Sequence, residues 1–155
     1  MSKKDKRKIL VLLDIDGVVN PGFKLNKDLI YVNFDIVKVG ITQDVAEFLK
    51  YLEKDERLLV CWSSRWEHYS NKINKKLNIR DFPYLQFTNK DNKQEDYDIL
   101  LNKEKNTENY KHIVIIDEDF KNVHHLPNVT SFAPVKQNGL TKKDIKEIVY
   151  FINEL

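Results

Sequence analysis

Cysteine is nearly absent: Cys61 is the only one in 155 residues. A lone thiol closes no intramolecular disulfide, and this one lies inside the apolar run Leu58-Leu59-Val60-Cys61-Trp62. A reducing, cytoplasmic setting is therefore expected rather than a disulfide-stapled secreted fold. Glycine and proline are also sparse, at four each, which excludes collagen-like and low-complexity classes. Long hydrophobic runs are missing, since none approaches the roughly 20 residues that span a bilayer. The N-terminus Met1-Ser2-Lys3-Lys4-Asp5-Lys6-Arg7-Lys8 is basic, but only five apolar residues follow before Asp14, too few for a signal peptide. A dominant sign of charge is lacking as well. The 26 basic and 24 acidic residues leave a net +2, a field too weak to mark a nucleic-acid binder by itself.

What remains is a chain 41% hydrophobic and 32% charged, which should fold as one domain over residues 8–155 behind a basic, solvated tail at 1–7. Lys8-Ile9-Leu10-Val11-Leu12-Leu13 is a continuous apolar run ending at Asp14, the pattern of a strand buried on both faces of a parallel sheet. Arg57 to Trp62, ending in Ser63-Ser64, and His112 to Ile116, ending in Asp117-Glu118-Asp119, share that form. Tyr84 to Phe87 and Val129 to Phe132 are two further short strand candidates. Between them Val45, Phe48, Leu49 and Leu52 mark a helix capped by Thr42. Trp66, Tyr69, Ile73 and Leu77 mark a second, Gln94 to Lys103 a third, and Ile145, Ile148, Val149 and Ile152 a last one after Thr141 and the Asn138-Gly139 turn. Strands alternating with helices predict an α/β domain with a mostly parallel, five-stranded sheet, whose ligands sit at the carboxyl ends of the strands. Leu29 to Val32 and Phe34 to Val39 break the alternation as a small hairpin turning around Asn33.

The chemistry-bearing residues cluster at those strand ends. Asp14-Ile15-Asp16-Gly17 sets two carboxylates at i and i+2 where a buried strand runs out, followed by a glycine that permits a sharp turn. Two acids so close need a cation or a shared proton, and one can attack while the other moves protons. The competing reading is an ordinary Asp-Gly turn. In a parallel sheet, Ser63-Ser64 and Asp117-Glu118-Asp119 converge on the same rim, where a hydroxyl can hold a phosphoryl oxygen and the acids suit Mg²⁺. Taken singly, the serines read as a helix cap and the acidic triplet as a solvated loop.

In this order the motifs resemble the haloacid dehalogenase-like (HAD) superfamily of phosphohydrolases, over most of the chain. Leu13-Asp14-Ile15-Asp16-Gly17-Val18-Val19-Asn20-Pro21, Trp62-Ser63-Ser64-Arg65-Trp66-Glu67 with Asn71 beyond, Ile116-Asp117-Glu118-Asp119 and Gly139-Leu140-Thr141 are similar to a group of small HAD proteins, some associated with RNA repair. The resemblance implies a Rossmann-like three-layer sandwich, Mg²⁺ as cofactor, Asp14 as a nucleophile that becomes an aspartyl-phosphate, and Asp16 as general acid and then base. It implies that Ser64 binds the phosphate and that the metal is held by Asp14, the backbone carbonyl of Asp16, Asp117 and either Glu118 or Asp119. The family commonly has two adjacent Asp where this chain has Asp117-Glu118. For the third-motif cation Lys93 is the choice, with Lys90 and Lys103 as alternatives.

About 24 residues separate Gly17 from Thr42 and 28 separate Ser64 from Lys93, enough for a hairpin flap but not for a large cap. A capless rim would admit a phosphorylated nucleic-acid end or a nucleotide monophosphate. Arg65 and Trp66, with Trp62 and His68, are candidates to line it, against core packing for the two tryptophans. His124-His125 offers no convincing transition-metal site. The competing functions are a two-metal nuclease on the same acids, a phospho-receiver domain, and a non-catalytic Rossmann-like binding module.

Overall fold

The structure, a computed structural model, describes residues 7–20, 29–35, 37–87, 97, 107–119, 127–135 and 138–155. Four parallel strands form the sheet: β1 (Ile9–Leu13), β4 (Leu58–Trp62), β5 (His112–Ile116) and β6 (Val129–Phe132), in the order β4-β1-β5-β6. The three apolar runs expected as buried strands are β1, β4 and β5. Every side chain of β1 is buried, because the strand is flanked in its sheet and covered on both faces. Ile9, Val11 and Leu13 join the larger core, whereas Leu10 and Leu12 face a smaller one with Cys61, Tyr97, Ile113, Ile115 and Val129. This two-sided burial is why the sequence reads as a run and not as an alternation.

The larger core is closed by α1 (Gln43–Lys54) and α3 (Lys142–Glu154). Thr42 caps α1, its Oγ1 accepting from the Val45 amide at 3.2 Å. α3 opens with a reciprocal pair: the Asp144 amide donates to Thr141 Oγ1 and the Thr141 amide to Asp144 Oδ2, which satisfies two of the helix's unpaired donors. The stripe at Trp66, Tyr69, Ile73 and Leu77 becomes a 3₁₀ turn (Glu67–Ser70) running into α2 (Asn71–Lys76). Ile73 and Leu77 are buried, while Tyr69 stays at the surface and packs on the His68 ring. The expected helix at 94–103 lies outside the described residues apart from Tyr97, which is helical.

Two expectations change. The segment Tyr84 to Phe87 adds no fifth strand: it makes one parallel bridge, Tyr84 to Trp62, so the sheet has four strands among the described residues. Pro83 has no N–H to extend a ladder, and two asparagines claim the preceding backbone. Asn71 both donates to and accepts from Phe82, and Asn74 Nδ2 donates to the Arg80 carbonyl. The hairpin β2 (Ile30–Phe34) and β3 (Val37–Ile41) turns beyond Phe34 instead of at Asn33, with Asp35 at φ 55°. Pairing Val32 with Val39 and Ile30 with Ile41 puts Val32, Phe34, Val39 and Ile41 together in the core. A turn at Asn33 would split that set across two faces.

Candidate functional site

The site begins with strand register. Leu13 is level with Trp62 on one side and Ile116 on the other, and the ladder continues one rung past the strands. The Ser63 amide donates to the Leu13 carbonyl at 2.8 Å, the Asp14 amide to Ile116 at 3.0 Å, and the Asp117 amide to Phe132 at 3.1 Å. Asp14, Ser63 and Asp117 therefore form one row at the carboxyl edge, all buried. In the strand order, β1 leads outward to β4, and the chain then crosses back to β5 on the other side. That reversal is where open α/β sheets place ligands.

Side chains at this row alternate onto the face of the smaller core, where Tyr97 lies. The Tyr97 hydroxyl donates to Asp117 Oδ2 at 2.8 Å and makes a short contact with Ser63 Oγ. Burial, and then the negative charge of Asp117, hold the phenol well above its usual pKa, so it remains a donor. The Asp119 amide donates to Asp117 Oδ1 at 3.0 Å, which fixes both oxygens of that carboxylate. Asp14 Oδ1 accepts from the Ile15 amide at 2.8 Å.

Asp14, Asp117 and Glu118 each present an oxygen, and the three lie within 4.8 Å of one another. Glu118 Oε2 is buried without a hydrogen-bond partner. Burial, and next the Asp14 charge, push the Glu118 carboxyl up to about 9. An orphaned buried oxygen and a carboxyl that resists ionisation beside two others are the features a divalent cation relieves, and an all-oxygen set suits Mg²⁺ or Ca²⁺ chemistry. The residues present therefore fit such an ion.

Asp16 stands apart from this cluster. Gly17 at φ 79° lets the chain fold back, with the Gly17 amide on the Asn20 carbonyl and the Asn20 amide on the Ile15 carbonyl, both at 2.8 Å. Asp16 Oδ1 then accepts from Asn20 Nδ2 at 3.1 Å, and Oδ2 from the Trp66 indole at 3.0 Å. Ser64 is buried beside the row, its Oγ accepting from the Trp66 amide at 3.2 Å in a local turn; the 3₁₀ turn that follows opens at Trp66 without a side-chain cap. Arg65 and His68 are exposed next to it. Trp62 is wholly buried, with its indole on Asn74 Oδ1 at 2.8 Å, and belongs to the core and not to the rim. Lys93, Lys90, Lys103, His124 and His125 lie outside the described residues.

Two participants were not foreseen: Tyr97, and Asn20 as a partner of Asp16. Of the two serines expected at this rim, Ser63 is the residue directly after β4 and Ser64 follows it. Nothing in the sequence pairs Tyr97 with Asp117.

A cleft of about 420 Å³ lies at the opposite end of the sheet, lined by Lys8, Asp55, Arg80 and Phe82 among others, and contributes nothing to this site. No helix among the described residues is long and apolar enough to cross a membrane.

No protein-family model matches the chain, and none of the curated proteins does. Two crystal structures of the Legionella pneumophila effector Ceg4 are similar in fold. One carries an N-terminal yeast Hog1p sequence; it is 11% identical, with a TM-score of 0.57, and the match covers 97% of this chain and 98% of that one. The other carries an N-terminal TEV protease cleavage sequence; it is 12% identical, with a TM-score of 0.58, over 99% and 97% of the two chains. At such identities the likeness concerns the fold alone: an α/β domain which, among the described residues, has a parallel four-stranded sheet, a small antiparallel pair and the helices α1 to α3.

Proposed function

We propose that this chain is an Mg²⁺-dependent phosphomonoesterase of the haloacid dehalogenase-like type, with that superfamily's Rossmann-like three-layer sandwich. The observation that carries the reading is the convergence of Asp14, Asp117 and Glu118 at the carboxyl ends of two adjacent parallel strands, with Ser63-Ser64 following the third. Asp14, Asp117 and Glu118 would hold the ion, together with the Asp16 carbonyl. When bound, Mg²⁺ supplies positive charge to the phosphoryl oxygens and offsets the three carboxylates.

The chain's own groups account for the rest. Asp14 attacks phosphorus, forming an O–P bond as the bond to the leaving alkoxide breaks, and Asp16 gives that alkoxide its proton. Asp16 next takes a proton from water as the water oxygen attacks the aspartyl-phosphate, which releases inorganic phosphate and restores Asp14. The Ile15 amide holds Asp14 Oδ1 and so fixes the side chain for attack. Ser64 Oγ receives the Trp66 amide and keeps its own hydrogen for a phosphoryl oxygen. Lys93, or Lys90 or Lys103, would pair with the transferring group. In this reading Tyr97 is a positioning residue, because its hydroxyl holds Ser63 and Asp117.

The hairpin β2–β3 is too small to enclose a substrate, which favours a large one presented at an open rim. A phosphorylated nucleic-acid end comes first and a nucleotide monophosphate second, with exposed Arg65 as a phosphate or base contact. The buried thiol of Cys61 accords with a reducing, cytoplasmic setting.

The test is phosphate release with Mg²⁺ from an aryl phosphate, mononucleotides, and 3′- and 5′-phosphorylated oligonucleotides, with Asp14→Asn alongside. Release that requires both Mg²⁺ and Asp14 is expected. Cleavage of the oligonucleotide backbone with phosphomonoesters intact would replace this reading with a nuclease, and no turnover of any substrate would remove the catalytic reading.

A further inference from the structure

Both oxygens of the Asp16 carboxylate are held by side chains that rest on the β2–β3 hairpin. The Trp66 indole donates to Oδ2 at 3.0 Å, and the Trp66 ring stands edge-on to Phe34 of β2, with centroids 5.1 Å apart at 84°. Asn20 Nδ2 donates to Oδ1 at 3.1 Å, and the Asn20 carbonyl oxygen Oδ1 accepts the Gly40 amide of β3 at 3.2 Å. Phe34 is buried in the main core, so the ring beneath Trp66 is itself fixed. The turn of the hairpin is tied down separately, since Lys72 of α2 pairs with Asp35 at 3.2 Å and lies over the Tyr69 ring. Asp16 is otherwise at the surface on a short loop, where a carboxylate without such contacts would sample several rotamers.

Resting on the reading of Asp16 as the acid that protonates the leaving group, we propose that the hairpin positions the acid for this step. It does so by aiming Asp16 through two positioning residues, Trp66 bridging from β2 and Asn20 bridging from β3. Trp66 is thereby assigned to Asp16 and not to the substrate. An indole N–H can only donate, so it orients the carboxyl group while taking no proton from it. The substrates that depend on this device are alkyl phosphomonoesters, whose poor leaving groups need a proton in the transition state; aryl phosphates with a good leaving group need little help there.

Trp66→Phe keeps an aromatic ring to pack against Phe34 and removes the N–H together with the rest of the fused five-membered ring. In the full chain with Mg²⁺ it should lower kcat/KM at least about tenfold for an alkyl phosphomonoester and by about threefold or less for 4-nitrophenyl phosphate. Phe34→Leu, which withdraws the ring under Trp66, should show the same selectivity between the two esters. Equal losses on both esters, or no loss on either, would overturn the assignment, because a general weakening of the fold or of metal binding does not sort substrates by leaving group. A second measurement does not depend on turnover. The chain has two tryptophans, so its proton NMR spectrum carries two indole N–H signals. Asp16→Ala should speed solvent exchange of the Trp66 signal by about tenfold or more and leave that of Trp62, which is held by Asn74. A Trp66 exchange rate that stays at its wild-type value would sink the proposal whatever the activity. If the indole responds as expected but the wild type hydrolyses neither ester, the contact stands and the phosphatase reading falls.

Discussion

Replacing Tyr97 by Phe deletes one oxygen from the middle of the site and leaves the ring in place. That ring is 1% exposed, within the smaller core with Leu12, Cys61 and Ile115, so the apolar packing survives the change. What is lost is a hydrogen bond to the Asp117 carboxylate at 2.8 Å and the contact with Ser63 Oγ. A bond to a charged acceptor contributes about 1.5–3 kcal/mol and a neutral one about 1 kcal/mol, and both partners here are fully buried. The expected loss is therefore about 3 kcal/mol. For a domain of this length each kcal/mol moves the melting temperature by roughly 2–4 °C, so Tyr97→Phe should melt about 6–12 °C below the wild type when followed by circular dichroism in metal-free buffer. Its Mg²⁺-dependent phosphate release should fall as well, since Asp117 then loses the donor that fixes Oδ2. A variant that melts within about 2 °C of the wild type, with full activity, would refute the claim that this hydroxyl organises the row.

Asp14→Asn should reduce phosphate release at least about a thousandfold, as should chelation of the metal by EDTA, measured by a malachite-green assay. Asn74→Ala strands the Trp62 indole and the Arg80 carbonyl, both now satisfied at 2.8 Å, and should cost about 2–4 kcal/mol in urea unfolding. The Cys61 thiol is pushed up to about 12 by burial, so the folded state favours its protonated form. Its alkylation by iodoacetamide at pH 8 should be at least about a hundredfold slower than in urea, and should keep rising with pH past 9, where an unfolded thiol levels off.

Legibility followed the range of the interaction. The strands β1, β4 and β5 were plain because a strand covered on both faces must be apolar throughout, and the caps at Thr42 and Thr141 were plain because they bond three residues away. Asp14 and Asp117 were legible because each directly follows a readable strand, and parallel pairing brings strand ends together. The Asn33 turn was misplaced because Asn, Phe and Asp in succession leave the register open until the core selects it. The segment 84–87 looked like a strand because its apolar pattern says nothing of Asn71 and Asn74, which occupy the backbone just before it. Tyr97 and Trp66 were the least accessible, since their hydrogen bonds join residues 20 and 50 positions apart and depend on helix and loop placement that no local pattern encodes.

The order of strands in the chain has a consequence for how the protein is made. β1 is synthesised first yet forms the middle of the sheet, and its neighbour β5 arrives about a hundred residues later, with Ile9 opposite His112. Closing so long a loop before the contacts can stabilise it makes folding slow relative to helical domains of similar size. The acidic cluster has one member at position 14 and two at 117 and 118, so it exists only after that closure. A cation held there would bind only after that closure, and would shift the balance toward the native state by mass action. A fragment ending before His112 would carry Asp14, Asp16 and Ser64 but would lack both the central pairing and two of the three acids. Newly made chains would thus complete the acidic cluster and the central sheet pairing in the same late event.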